Sequence, residues 1–181
     1  MDIYLIRHTS VDVPENVCYG QTDVPLKNTF EEEAMLVKQK LQDISFDAVY
    51  TSPLSRCTKL ADYCGYPSAV RDDRLKEISF GAWEMLSYEQ IIRLLKQKPH
   101  MEGGSVDDAL HVPATDGESV ADLHVRVSSF LDGIRVEDYR HVLVFAHGGV
   151  LAGAQVYAGL IQPKEAIKSP EPYGGIVRIS L

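Results

Sequence analysis

The feature that most constrains this chain is a rhythm. Short β-branched or aromatic runs alternate with longer stretches whose apolar residues recur at helical spacing. Strands are expected at 2–7, 47–51, 142–146 and 175–180, and helices at about 30–42, 53–64, 87–97, 119–134 and 149–159. The 119–134 stretch sets Val120, Leu123, Val127, Phe130, Leu131 and Ile134 along one face. "DGES" before it offers Ser119 or Asp116 as N-cap, and Pro53 after Thr51-Ser52 suits a first helical position. Such alternation predicts an α/β three-layer sandwich: a mostly parallel central sheet with helices on both faces. No repeat, low-complexity tract or linker interrupts it, so residues 1–181 are expected to form one domain. The polar stretch 98–117, with Gly and Pro at intervals, reads as an excursion of the length that often serves as a lid.

Composition narrows the function. The 181 residues are 45% apolar and 24% charged, enough for a sizeable core. A net charge of -8 argues against general nucleic-acid or membrane-surface binding, so an anionic substrate would need a locally positive pocket. No apolar run approaches the ~20 residues of a membrane span. "MDIYLIRH" lacks a basic leader followed by an apolar stretch. The three cysteines, Cys18, Cys57 and Cys64, are odd in number and form no CxxC pair. A cytoplasmic protein with reduced thiols is expected.

Polar residues collect where strands end. "LIRHTS" closes the first strand with Arg7 and His8; "YTSPLSR" closes the second and puts Arg56 at the start of a helix; "VFAHGG" closes a third with His147 and two glycines. Carboxyl ends of parallel strands share one edge of a sheet, and ligands bind there. The following helix starts offer free N–H groups to an anion, and Gly148 and Gly149 let it approach the main chain. Singly, Arg56 reads as a solvated helix face and His147 as a structural residue. Jointly, two arginines, two histidines and helix N-termini describe a phosphate site. A metal held by His8 and His147 fits less well, because neighbouring arginines repel a cation. The GxxxxGK[ST] loop of nucleotide triphosphate enzymes is absent.

These blocks resemble the histidine phosphatase superfamily, the phosphoglycerate-mutase-like enzymes. "LIRHTS" resembles its RHG signature, and "YTSPLSRC" the segment that supplies a second arginine. "LKEISFGAWE" resembles the stretch with its acid, and "DGES…DLHVRV" and "FAHGGV" its later blocks, all in order over nearly the whole chain. "VCYGQTDVPL" is most similar to alpha-ribazole phosphatases of cobalamin biosynthesis. The sequence departs from the pattern at Thr9, at Met85, at Asn16, which is displaced by two, and in a first helix without its usual glycine.

The resemblance implies a metal-independent phosphomonoesterase without cofactor, acting on a small molecule, with alpha-ribazole 5′-phosphate as the expected substrate. His8 would be the nucleophile and form a phosphohistidine. Arg7, Arg56, His147 and the Gly148 N–H would hold the phosphoryl oxygens. Glu77 would protonate the departing alkoxide, with Glu84 and Glu118 as rivals. Gly20, Gln21 and Thr22 would border the pocket, and Trp83 would offer an aromatic base a stacking partner. Cys57 reads as a small buried hydrophobe. The alternatives are a phosphatase of other monoesters, a phosphoglycerate-type mutase, and a phosphate-binding module without turnover.

Overall fold

The computed structural model describes residues 1–96, 113–163, 165–166 and 170–181. Five strands form one sheet: β1 (Asp2–Arg7), β2 (Ala48–Thr51), β3 (Val70–Arg71), β4 (His141–Ala146) and β5 (Ile176–Ser180), in the order β3-β2-β4-β1-β5. All pairings are parallel except that of β5, which runs antiparallel to β1 at one edge. Five helices are described: α1 (Phe30–Leu41), α2 (Ser55–Cys64), α3 (Tyr88–Lys96), α4 (Val120–Arg135) and α5 (Gly148–Tyr157). The expected strands and helices thus form within two residues of their predicted bounds. β3 escapes a periodicity argument because it has only two residues, both exposed. The candidate lid at 98–117 lies outside the described residues up to position 112.

Side chains of a strand alternate between its faces, and each face here finds its own helices. Ile3 and Leu5 of β1 join Val142, Val144 and Ala146 of β4 under α4 and α5, where Leu123, Val127, Phe130 and Leu151 meet them. Ile6, Leu143 and Phe145 point the other way, toward Val37, Leu41, Cys57 and Leu60 of α1 and α2. That alternation is the physical origin of the three layers. β4, at the centre, is apolar from Val142 to Ala146 because both its faces are covered. A separate cluster, with Trp83, Cys18, Ile91, Leu95 and Ala114, packs beside the sheet.

Ser119 caps α4 in a reciprocal box with Asp122: the Asp122 N–H donates to Ser119 Oγ, and the Ser119 N–H to the Asp122 carboxylate. Pro53 is not the first helical residue of α2. The helix opens at Ser55 after an extended Leu54, because Ser52 is drawn into the polar cluster described next.

Candidate active site

Three strands end side by side. The His8 N–H donates to the Ala146 carbonyl, and the Ser52 N–H to the Phe145 carbonyl. The ladder therefore delivers His8, Ser52 and His147 to one edge, each just past the last pair of its strand. His8 and His147 stand with ring centroids 5.2 Å apart.

The protonation of both imidazoles follows from their partners. His8 Nδ1 lies 2.8 Å from the Thr9 carbonyl, which only accepts, so Nδ1 carries the proton and Nε2 keeps its lone pair. Burial, then the Arg56 charge, with Arg7 adding to them, pushes the His8 pKa down to about 3, against the Thr9 bond. Arg56 Nε donates to His147 Nδ1 at 3.3 Å, so the His147 proton is on Nε2, which meets Ser52 Oγ at 2.8 Å. Burial and the same Arg56 charge hold His147 far below its ordinary pKa. His147 is therefore neutral in this arrangement and joins Arg56 to Ser52.

Both arginines are held by carbonyls. Arg56 is fully buried, and its guanidinium donates to the Gly20 and Thr22 carbonyls as well as to His147. Arg7 donates to the Glu171 carbonyl, and its Nε is buried without a partner among the described residues. Among the described residues neither has a carboxylate within ion-pair distance. A buried cation without an acid is costly, and an incoming anion removes that cost.

Glu77 faces the start of α5. Its carboxylate accepts from the Ile78 N–H at 2.9 Å and from the Gly149 N–H at 3.1 Å. A Cβ on residue 149 would stand 2.3 Å from Glu77 Oε1, so glycine there is what allows the approach. The rival carboxylates are committed elsewhere. Glu84 accepts from the N–H groups of Gly20, Gln21, Thr22 and Phe80 and from the Thr22 hydroxyl. Burial would raise its pKa, but these bonds outweigh burial and lower it. Glu118 pairs with Arg126 at 2.7 Å, and Arg126 also donates to the carbonyls of Arg74, Lys76 and Glu77. Arg126 thus braces the turn that carries Glu77.

A cavity of about 470 Å³ opens before His8, with Arg7, Glu77, Gly148 and Gly149 in its wall. Phe80, Tyr88, Val120 and Leu123 make much of the rest apolar, with His124 among the polar exceptions. Arg56 and His147 lie behind this wall. Gly20, Gln21 and Thr22 do not line the cavity; their main chain links Glu84 to Arg56. Trp83 is packed in the separate cluster, away from the cavity. Cys57 is buried with its thiol on the Ala146 carbonyl, and burial pushes its pKa up. Sequence reasoning missed Ser52, Arg126, Tyr19 and Tyr173. Ser52 was visible as the last polar residue of "YTS". The others act on partners far along the chain, which no local pattern announces.

A central sheet with two imidazoles, two guanidiniums and a carboxylate at its carboxyl edge defines a phosphate-handling α/β protein. The chain belongs to the histidine phosphatase superfamily (branch 1), whose family model matches residues 3–180. Phosphoserine phosphatase 1 of Hydrogenobacter thermophilus is 26% identical over 147 residues, 78% of this chain and 68% of that one. A probable phosphoglycerate mutase of Yersinia enterocolitica is 29% identical over 158 residues, 83% of this chain and 71% of its own. The solved alpha-ribazole phosphatase of Shigella flexneri superposes with a TM-score of 0.85 at 24% identity, covering 100% of this chain and 91% of that one.

Proposed function

We propose that this chain is a metal-independent phosphomonoesterase that works through a phosphohistidine on His8. The observation that carries the reading is a pair of guanidiniums with no acid among the described residues, beside a neutral imidazole whose Nδ1 carries the proton and whose Nε2 keeps the lone pair. His8 Nε2 attacks phosphorus in line; the P–N bond forms as the bond to the alcohol oxygen breaks. Glu77 gives its proton to the departing alkoxide. Water then attacks the phosphohistidine, Glu77 takes the water proton, and inorganic phosphate leaves. Charge on the three equatorial oxygens develops against Arg7 and the N-terminal end of α5 in the cavity wall, with the Arg56 charge held just behind them.

The substrate we favour is alpha-ribazole 5′-phosphate, within one catalytic domain spanning residues 1–181. The largely apolar cavity with Phe80 and Tyr88 supports an aromatic alcohol. The likeness to phosphoglycerate mutase favours a second reading, in which the phosphoryl group returns to another hydroxyl. Against it, Lys27 is the one lysine or arginine besides Arg7 among the described cavity residues, and it is exposed, whereas phosphoglycerate brings a second anionic group.

The test is to mix the protein with substrate, quench in alkali and seek acid-labile phosphate on His8. His8→Ala should lose both the adduct and turnover; full activity in that variant would remove the nucleophile. Free phosphate against isomerised product separates phosphatase from mutase. Specificity constants for alpha-ribazole phosphate, 3-phosphoglycerate and sugar phosphates then rank the alcohols. Chelating agents should leave the rate unchanged.

A further inference from the structure

Among the described residues neither arginine has an acidic partner, yet each lies against an aromatic ring. Arg7 Cζ sits 4.1 Å from the centroid of Tyr173, and Arg56 Cζ sits 5.5 Å from that of Tyr19. The two tyrosines come from opposite ends of the chain, and their hydroxyls meet at 2.7 Å. The Tyr173 ring also stands 5.5 Å from that of His8.

We propose that Tyr19 and Tyr173 are a coupled pair of positioning residues that hold Arg56 and Arg7 in place for the phosphoryl group. The physical need is specific. A phosphate-gripping guanidinium must be fixed, but a carboxylate that fixed it would compete with the phosphate. An aromatic face attracts the cation through its quadrupole, takes none of its N–H groups, and leaves its charge intact. The hydroxyl bond links the two rings, while the faces carry the hold on the guanidiniums.

Both rings stand on prepared backbone. Tyr19 precedes Gly20, whose carbonyl accepts from Arg56 and whose N–H is held by Glu84. Tyr173 precedes Gly174, whose N–H reaches the carbonyls of Arg7 and His8. Gly174 has φ +65°, a left-handed turn that favours glycine. The Glu171 carbonyl takes the Arg7 guanidinium from the same segment. Residues 171–174 therefore wrap Arg7 with a carbonyl, a ring and a main-chain N–H that it shares with His8.

The proposal rests on the reading that these arginines receive phosphate, and the experiment separates the two. Inorganic phosphate binding is measured by calorimetry, and kcat and KM with p-nitrophenyl phosphate, for the parent, Tyr173→Phe, Tyr19→Phe, the double Phe variant and Tyr173→Leu. Tyr173→Leu should weaken phosphate about tenfold and raise KM. The Phe variants keep the faces and should stay within about twofold of the parent. Because both single Phe changes break the same hydroxyl bond, the double variant should match either one. Tyr173→Met keeps bulk without the ring and replaces Tyr173→Leu should the latter melt early. Equal phosphate affinity in the parent and the ring-less variants overturns the proposal, as does a Phe variant as weak as Leu. If the parent binds phosphate but turns over no monoester, the phosphatase reading falls while the calorimetric series still judges the rings. A parent that binds no phosphate at millimolar concentration overturns both.

Discussion

His8 shows how a single residue is prepared by its neighbours. It ends a buried strand, the Thr9 carbonyl accepts from its Nδ1–H, and burial, with Arg56 and Arg7 adding to it, keeps it neutral. Holding a histidine neutral in the folded state has a cost in acid. Its folded pKa of about 3 lies below its unfolded value near 6.5, so between these the unfolded chain binds a proton that the folded one refuses. Stability is therefore full above pH 6.5 and is lost as pH falls. From His8 alone, the unfolding free energy should drop by about 2 kcal/mol between pH 7 and pH 5. Urea midpoints at the two pH values measure the drop, and His8→Gln should shrink it. Gly149 offers a second test. An alanine Cβ would collide with Glu77 Oε1 and crowd Leu123. Gly149→Ala should cut kcat about a hundredfold for alkyl monoesters, whose alkoxide needs a proton. The loss should be smaller for p-nitrophenyl phosphate, whose phenolate leaves without one.

At the scale of elements, the parts that repeat a period were readable and the parts that reach across were not. α4 could be drawn from its apolar stripe and its cap, because both are local. Its brace to the Glu77 turn could not, because Arg126 meets the carbonyls of Lys76 and Glu77 some 50 residues back, with |i−j| of 50 and 49. Trp83 shows the converse. An aromatic residue beside the acid's motif invites a stacking role, yet burial with Ile91 and Leu95 gives it to the separate cluster. The cap itself can be weighed: Ser119→Ala removes an acceptor for the Asp122 N–H and should lower stability by about 1 kcal/mol, read from the urea midpoint. Turnover should change little, since Ser119 is not in the cavity wall.

Over the whole molecule, β5 matters most. It runs antiparallel beside β1 and brings the last residue back to the first: the Leu181 N–H donates to the Met1 carbonyl. The same return lays residues 171–174 on Arg7, so the strand that closes the sheet also sets one wall of the cavity. The cluster around Trp83 is distinct from the two main cores but shares the Glu84-anchored loop with the site. Cooperative folding of residues 1–181 should make the urea transitions of Trp83 fluorescence and far-UV circular dichroism coincide. An earlier fluorescence transition would show that this cluster unfolds on its own.

Periodicity and the polar ends of strands were enough, from the sequence alone, to define the layers, the direction of most strands, and Arg7, His8, Arg56 and His147 as neighbours. Those features are local, and parallel strands converge on one edge whatever the loops do. Only the tertiary structure decided which carboxylate meets the helix start, which carbonyls and rings hold the guanidiniums, and that His147 is neutral. Each of these depends on contacts between distant segments, and on burial that no short stretch of sequence can set.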